Sequence, residues 1–225
     1  MSTPTEIANT ALSHLGVGKE IANIETENSQ EANACRRFYD ISREQVLRDF
    51  NWPFATKEIA LGLVSANPTT EWTYAYRYPS DCLKLRRIFS GLRNDNRNSR
   101  VPYKLVRDAA GRLIYTDMPN ALMEYTYNEK DSERFTPDFV QALAARLATY
   151  IAPRLTSGDP SKMGERAYKL YVLEITKAQA SAANEQQDEM KPEAEWINAR
   201  DGGTDSQSNQ NNASTYIWPS TNIWP

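Results

Sequence analysis

The 225 residues contain a single histidine, His14, and only two cysteines, Cys35 and Cys82. One histidine excludes any metal site that needs two imidazoles and leaves one candidate base for a His-dependent triad. Two cysteines make no disulfide framework, which fits synthesis in a reducing compartment where both thiols serve as small hydrophobes. No stretch approaches the ~18 consecutive apolar residues of a membrane span, so no membrane partner is expected. The opening MSTPTEIANTALSHLG places Glu6 where a secretory leader needs an unbroken apolar run, and no leader is expected. Hydrophobic residues reach only 40% and mean hydropathy is −0.67, so part of the chain must be solvated or covered by a partner. With 26 Lys and Arg against 29 Asp and Glu, the net charge of −3 does not mark a general nucleic-acid binder.

What is present reads as helices flanking strands. Residues 3–15 form a helix: Thr3 and Glu6 make a capping box, Pro4 takes the first position, and Ile7, Ala8, Ala11, Leu12 and Leu15 share a face. Gly16 stops it. Ile21 and Ile24 anchor the connector to a second helix over 29–50, capped by Asn28 with Glu31 and contributing Cys35, Phe38, Val46 and Phe50 to a core. Trp52-Pro53 ends it, because a residue before proline is pushed out of the helical region. From 54 to 128 the period becomes two, in Tyr74/Tyr76/Tyr78, Leu83/Leu85 and Met123/Tyr125/Tyr127, and Asp108-Ala109-Ala110-Gly111 is a hairpin turn. Helix returns at Thr136-Pro137-Asp138, with Phe139, Leu143, Leu147 and Ile151 four apart and Pro153 as a kink or end. After the turn Ser157–Pro160, a last helix runs from about 160 to 187 with Met163, Ala167, Leu170, Val172 and Ile175 on its apolar side. The predicted fold is α+β: a four-helix bundle from 1–53 and 136–187, an inserted antiparallel β-domain at 54–135, and an extended C-terminal arm at 188–225.

Several patterns that suggest chemistry fail on inspection. Leu15–Glu20 has Ser13 where a phosphate loop needs its first glycine and Glu20 where it needs Ser or Thr, and it follows a helix rather than a strand. His14, near a helix C-terminus, suits the helix dipole and has no nucleophile motif beside it. Glu185, Asp188, Glu189, Glu193 and Glu195 read as a solvated helix end rather than a carboxylate pair across a cleft. The expectation is a protein without catalytic, cofactor-binding or metal-binding residues.

Two features remain. Residues 84–107 carry eight basic side chains against one acid, Asp95, which leaves the rest of the chain strongly acidic. Arg86, Arg87, Arg93, Arg97, Arg100, Lys104 and Arg107 are candidates for a basic surface facing phosphates or an acidic protein; a solvated hairpin is the plain alternative. From Ser206 to Pro225 there is no charge, and Ile-Trp-Pro occurs twice, six residues apart. Large aromatics on a Ser/Asn/Gln-rich arm cost solubility unless a partner covers them, so Tyr216, Ile217, Trp218, Pro219, Ile223, Trp224 and Pro225 are candidate anchors.

Glu6–Gly16, the Ile-rich connector, and Glu31–Phe50 running into Asn51-Trp52-Pro53-Phe54 resemble the tail tubular protein A family, the head-to-tail adaptors of short-tailed bacteriophages. The returning helices Phe139–Leu155 and Met163–Ala183 fit the second half of that family's bundle, and the likeness covers about 1–187. The resemblance implies a structural role: a dodecameric ring beneath the portal that extends the DNA channel and carries the tail nozzle and fibres. Its expected partners are copies of itself, the portal, the nozzle protein, the fibres and genomic DNA passing without sequence reading. Its expected place is the head–tail junction of the virion, after assembly in the host cytoplasm. A virion-associated cell-wall hydrolase and a DNA-binding protein using the 84–107 strip are the alternatives.

Overall fold

Thr3 opens helix α1 (Pro4–His14) with the expected capping box: its hydroxyl accepts from the Glu6 amide at 3.2 Å and its amide donates to the Glu6 carboxylate at 2.8 Å. A computed structural model describes residues 2–91, 100–156 and 159–185. The arm at 188–225, with all its candidate anchors, lies outside the described residues, as do Arg93 and Arg97. At the end of α1 the Gly16 amide reaches the Ser13 carbonyl and the Val17 amide reaches Leu12, both near 3.0 Å. This double closure turns the chain through a left-handed residue, and Gly16 supplies it at φ +72°.

Helix α2 (Gln30–Asp49) is capped by Ser29, whose hydroxyl accepts from the Ala32 amide at 3.2 Å, one residue later than the expected Asn28. The spacing to the third helical residue selects the cap, and from Ser29 that residue is Ala32. Helix α3 (Pro137–Leu155) is the middle of the bundle. Phe139, Leu143, Leu147 and Ile151 are fully buried as predicted, and Ala142, Ala144, Ala145, Ala148 and Ala152 let neighbouring helices approach on several sides. Pro153 sits in its last turn and the helix closes two residues later. Helix α4 (Pro160–Glu185) buries Ala167, Tyr171 and Ala178, while a side chain on Gly164 would meet Ala152 at 3.9 Å. Val172, expected on the apolar side, is instead half-exposed. Met163, Ala167, Tyr171 and Ile175 keep the inward spacing, and Val172 lies about 100° round from Tyr171.

Among the described residues the insert holds seven antiparallel strands: β1 (Thr56–Ala60), β2 (Leu63–Ala66), β3 (Tyr74–Arg77), β4 (Cys82–Ile88), β5 (Tyr103–Asp108), β6 (Gly111–Thr116) and β7 (Leu122–Tyr127). They form two sheets, ordered β1-β7-β4 and β2-β3-β6-β5. Tyr76 and Ile114 from one sheet share a core with Leu85, Ile88, Met123 and Tyr125 from the other. Asp108 and Gly111 close the predicted hairpin, and the Asp108 carboxylate accepts from the Ala110 amide at 2.9 Å. The strand at 82–88 departs from simple alternation. Register shifts between Cys82 and Lys84 and between Leu85 and Arg87 mark two irregularities, so Cys82, Leu85 and Ile88 are buried at a spacing of three.

The fold is therefore α+β, four helices and antiparallel sheets, with separate hydrophobic cores in the helical and β parts of one unit, Met1–Ser181. The other unit, Ala182–Pro225, contributes only the end of α4 to the described residues.

Candidate functional site

The frame of the site is the contact between insert and bundle. Helix α2 ends with unpaired carbonyls and the negative end of its dipole, and both attract cations. Lys84 donates to the Arg48 carbonyl at 3.1 Å. Arg86 donates to the carbonyls of Leu47 at 3.0 Å and of Arg48 and Phe50, and its Nε reaches the Thr126 hydroxyl at 2.7 Å. Burial draws the Arg86 pKa down, with Glu124 and Asp49 opposing. Arg86 therefore leaves the expected basic surface: its guanidinium caps α2. Glu124 completes the junction, accepting from Asn51 at 3.0 Å and from Arg87 at 2.6 Å. Alternation along β7 puts Glu124 on a polar face, but that face meets the bundle and Glu124 is buried. A second tie runs through buried Arg43, which donates to Asp40 at 2.7 Å and to Asn128 at 3.1 Å. Neither junction shows in the sequence, because each pairs residues dozens of positions apart.

Outside this frame, among the described residues, an edge strand of each sheet borders a shared seam. β4 borders the three-stranded sheet and β5 the four-stranded one. A cavity of about 270 Å³ lies here, lined by Arg87, Ile88, Arg100, Val101 and Tyr103 among others. Arg87 keeps a half-exposed guanidinium 4.7 Å from the Phe89 ring centroid. Arg100, Lys104 and Arg107 are exposed and pair with no carboxylate among the described residues. Register puts Leu105 opposite Ile114 and Tyr103 opposite Thr116. Ile114 is in the sandwich core, yet Leu105 is 51% exposed and Tyr103 38%. The basic run thus borders an apolar ledge, a feature that charge counting alone does not reveal.

His14 lines a second cavity, of about 430 Å³, with Arg166, Lys169, Leu170 and Leu173. Burial lowers its pKa, Glu174 opposes this, and Arg166 adds to it. Burial thus opposes the charged form that a position near a helix C-terminus favours. Its Nε2 is buried without a hydrogen-bond partner in the structure. The thiols are passive: burial pushes Cys35 up to about 12, and Cys82 is raised by burial and lies 3.0 Å from the Tyr78 hydroxyl. Among the described residues no three His, Cys, Asp or Glu side chains group as a metal site, and no helix is long and apolar enough to cross a membrane.

No protein-family model matches the sequence, and no curated protein matches it.

Proposed function

We propose that the chain is a structural head-to-tail adaptor of a short-tailed bacteriophage, a subunit of a ring beneath the portal that extends the DNA channel and carries the nozzle and fibres. The observation that carries this reading is the element order: a helix pair, an antiparallel insert, and a returning helix pair, with Asn51-Trp52-Pro53-Phe54 at the first junction. This is the order that the family resemblance implies. Exposed apolar side chains on several elements add support: Ile41, Leu63, Val64, Leu105, Leu122, Val172 and Leu173 call for covering surfaces that a ring neighbour or portal would supply. The chain has no turnover in this reading. The test is the mass of the purified full-length protein by light scattering, alone and mixed with its portal. Ring formation or docking is expected; a chain that stays monomeric and undocked overturns the reading.

Arg100, Lys104 and Arg107, exposed and without a carboxylate partner among the described residues, favour one second reading, a DNA-binding protein. Salt-dependent binding of free duplex DNA by the isolated chain would select it.

A further inference from the structure

The seam between β4 and β5 combines two properties that narrow its occupant. Arg87 and Arg100 line its cavity with Ile88, Val101 and Tyr103, and the edge strand β5 beside it presents Leu105 and Arg107 on the face of Tyr103 and Lys104 on the other. A phosphate backbone would use the basic side chains and leave the apolar ledge wet. A peptide that combines acids with large apolar residues would use both. The chain has such a stretch: Asp188-Glu189-Met190-Lys191-Pro192-Glu193-Ala194-Glu195-Trp196-Ile197 has four acids, one lysine and the apolar Met190, Trp196 and Ile197. It begins three residues after the described end of α4.

We propose that the seam is the dock for the acidic segment 188–197 of an adjacent copy, Trp196 or Ile197 covering the ledge while Glu193 and Glu195 face Arg100 and Lys104. This rests on the ring reading above and names the partner of its basic surface. A seam on one subunit that takes a segment from the next is a heterologous contact, the kind from which closed rings are built. Opposite charges also set register and suppress wrong pairings. The uncharged Ile-Trp-Pro repeat further along the arm is left for the portal.

The test uses the full-length chain assembled with its portal, prepared as an equal mixture of isotopically labelled and unlabelled copies. A carbodiimide joins lysine amines to touching carboxylates, and mass spectrometry identifies the linked peptides. Lys19 and Glu31, 2.8 Å apart, are the internal positive control. The expected result is Lys104 joined to Glu193 or Glu195 in pairs of mixed isotope. Replacing Arg100→Glu and Arg107→Glu should abolish that link and leave the control link intact. An assembled ring with the control link and no Lys104 link overturns the dock alone. Links only within one isotope assign the segment to its own chain and overturn the neighbour. Lys104 unlinked, but shielded from acetylation by a short DNA duplex, gives the seam to DNA. A chain that never assembles removes the ring reading and the dock together.

Discussion

Arg86, on the fourth strand of the insert, donates to the carbonyl of Phe50, the residue that closes α2. A side chain from within the basic run is thus part of the folding machinery. Arg86→Ala removes a charged donor from several helix-end carbonyls and should lower unfolding free energy by about 2–4 kcal/mol, read by urea denaturation. Arg100→Ser and Lys104→Ser, on exposed positions, should stay within about 0.5 kcal/mol of the parent. Equal losses at all three would contradict a structural role confined to Arg86.

Trp52 should prove the most sensitive position of the first junction. Its indole donates to the Val46 carbonyl at 2.9 Å, and its ring meets Phe50 and Phe139 edge-on at 4.9 and 5.1 Å. Trp52→Ala should cost about 3–5 kcal/mol. Trp52→Phe keeps most of the packing and loses the hydrogen bond, so about 1–2 kcal/mol is expected. Thermal melts of the two variants against the parent check the ordering.

Acidification should remove stability in two stages. The folded His14 has a pKa below its ordinary value through burial, so the unfolded chain takes up that proton first. Its contribution is present above the unfolded pKa of about 6.5 and is lost as pH falls through the lower folded value. His14→Gln should flatten this stage. Burial alone would raise Glu129, but the Tyr127 hydroxyl, the Asp131 and Lys130 amides and the Arg134 charge outweigh burial and hold it low. Its contribution is present above about 4.3 and is lost as pH falls through the depressed folded value. Glu129→Gln should shrink this second stage, to which Asp81, held low against burial by Lys57 and Tyr125, also contributes, and leave the first unchanged. Urea midpoints measured across the acid range separate the two.

Deleting 206–225 should leave helix content and melting temperature unchanged and abolish docking onto the portal in a pull-down. The double change Trp218→Ala, Trp224→Ala should do nearly the same, since large buried aromatics dominate interface energies. Undiminished capture of the truncated chain would show that the arm is not the anchor.

The helical half of the fold was legible because its signals are local. Thr3 with Glu6, Gly16, and the four-residue spacing from Phe139 to Ile151 each act within a turn or two. The strands at Tyr74–Arg77, Cys82–Ile88 and Leu122–Tyr127 were also legible, and so was the Asp108–Gly111 hairpin, whereas β1 and β2 carry no clear alternation and were not. The face of β4 was not: two register shifts turn a period of two into three, and only the pairing with β7 creates them. Val172 misled because apolar character does not say which side of α4 meets the bundle. The basic run was visible as charge, but nothing in it distinguished Arg86, folded against α2, from Lys104, exposed on β5.

The central position of α3 fixes a timetable for synthesis. Roughly 100 residues separate the end of α2 from the end of α3, so the first two helices wait about 5–20 s for their packing partner at ordinary translation rates. The seven strands among the described residues lie between Thr56 and Tyr127 and can pair within that interval. A nascent chain stalled just after Tyr127 has cleared the ribosome should therefore hold a protease-resistant insert beside protease-sensitive helices. Arg86 would then meet α2 from a finished sheet, and the bundle would close last, with the arm still to come.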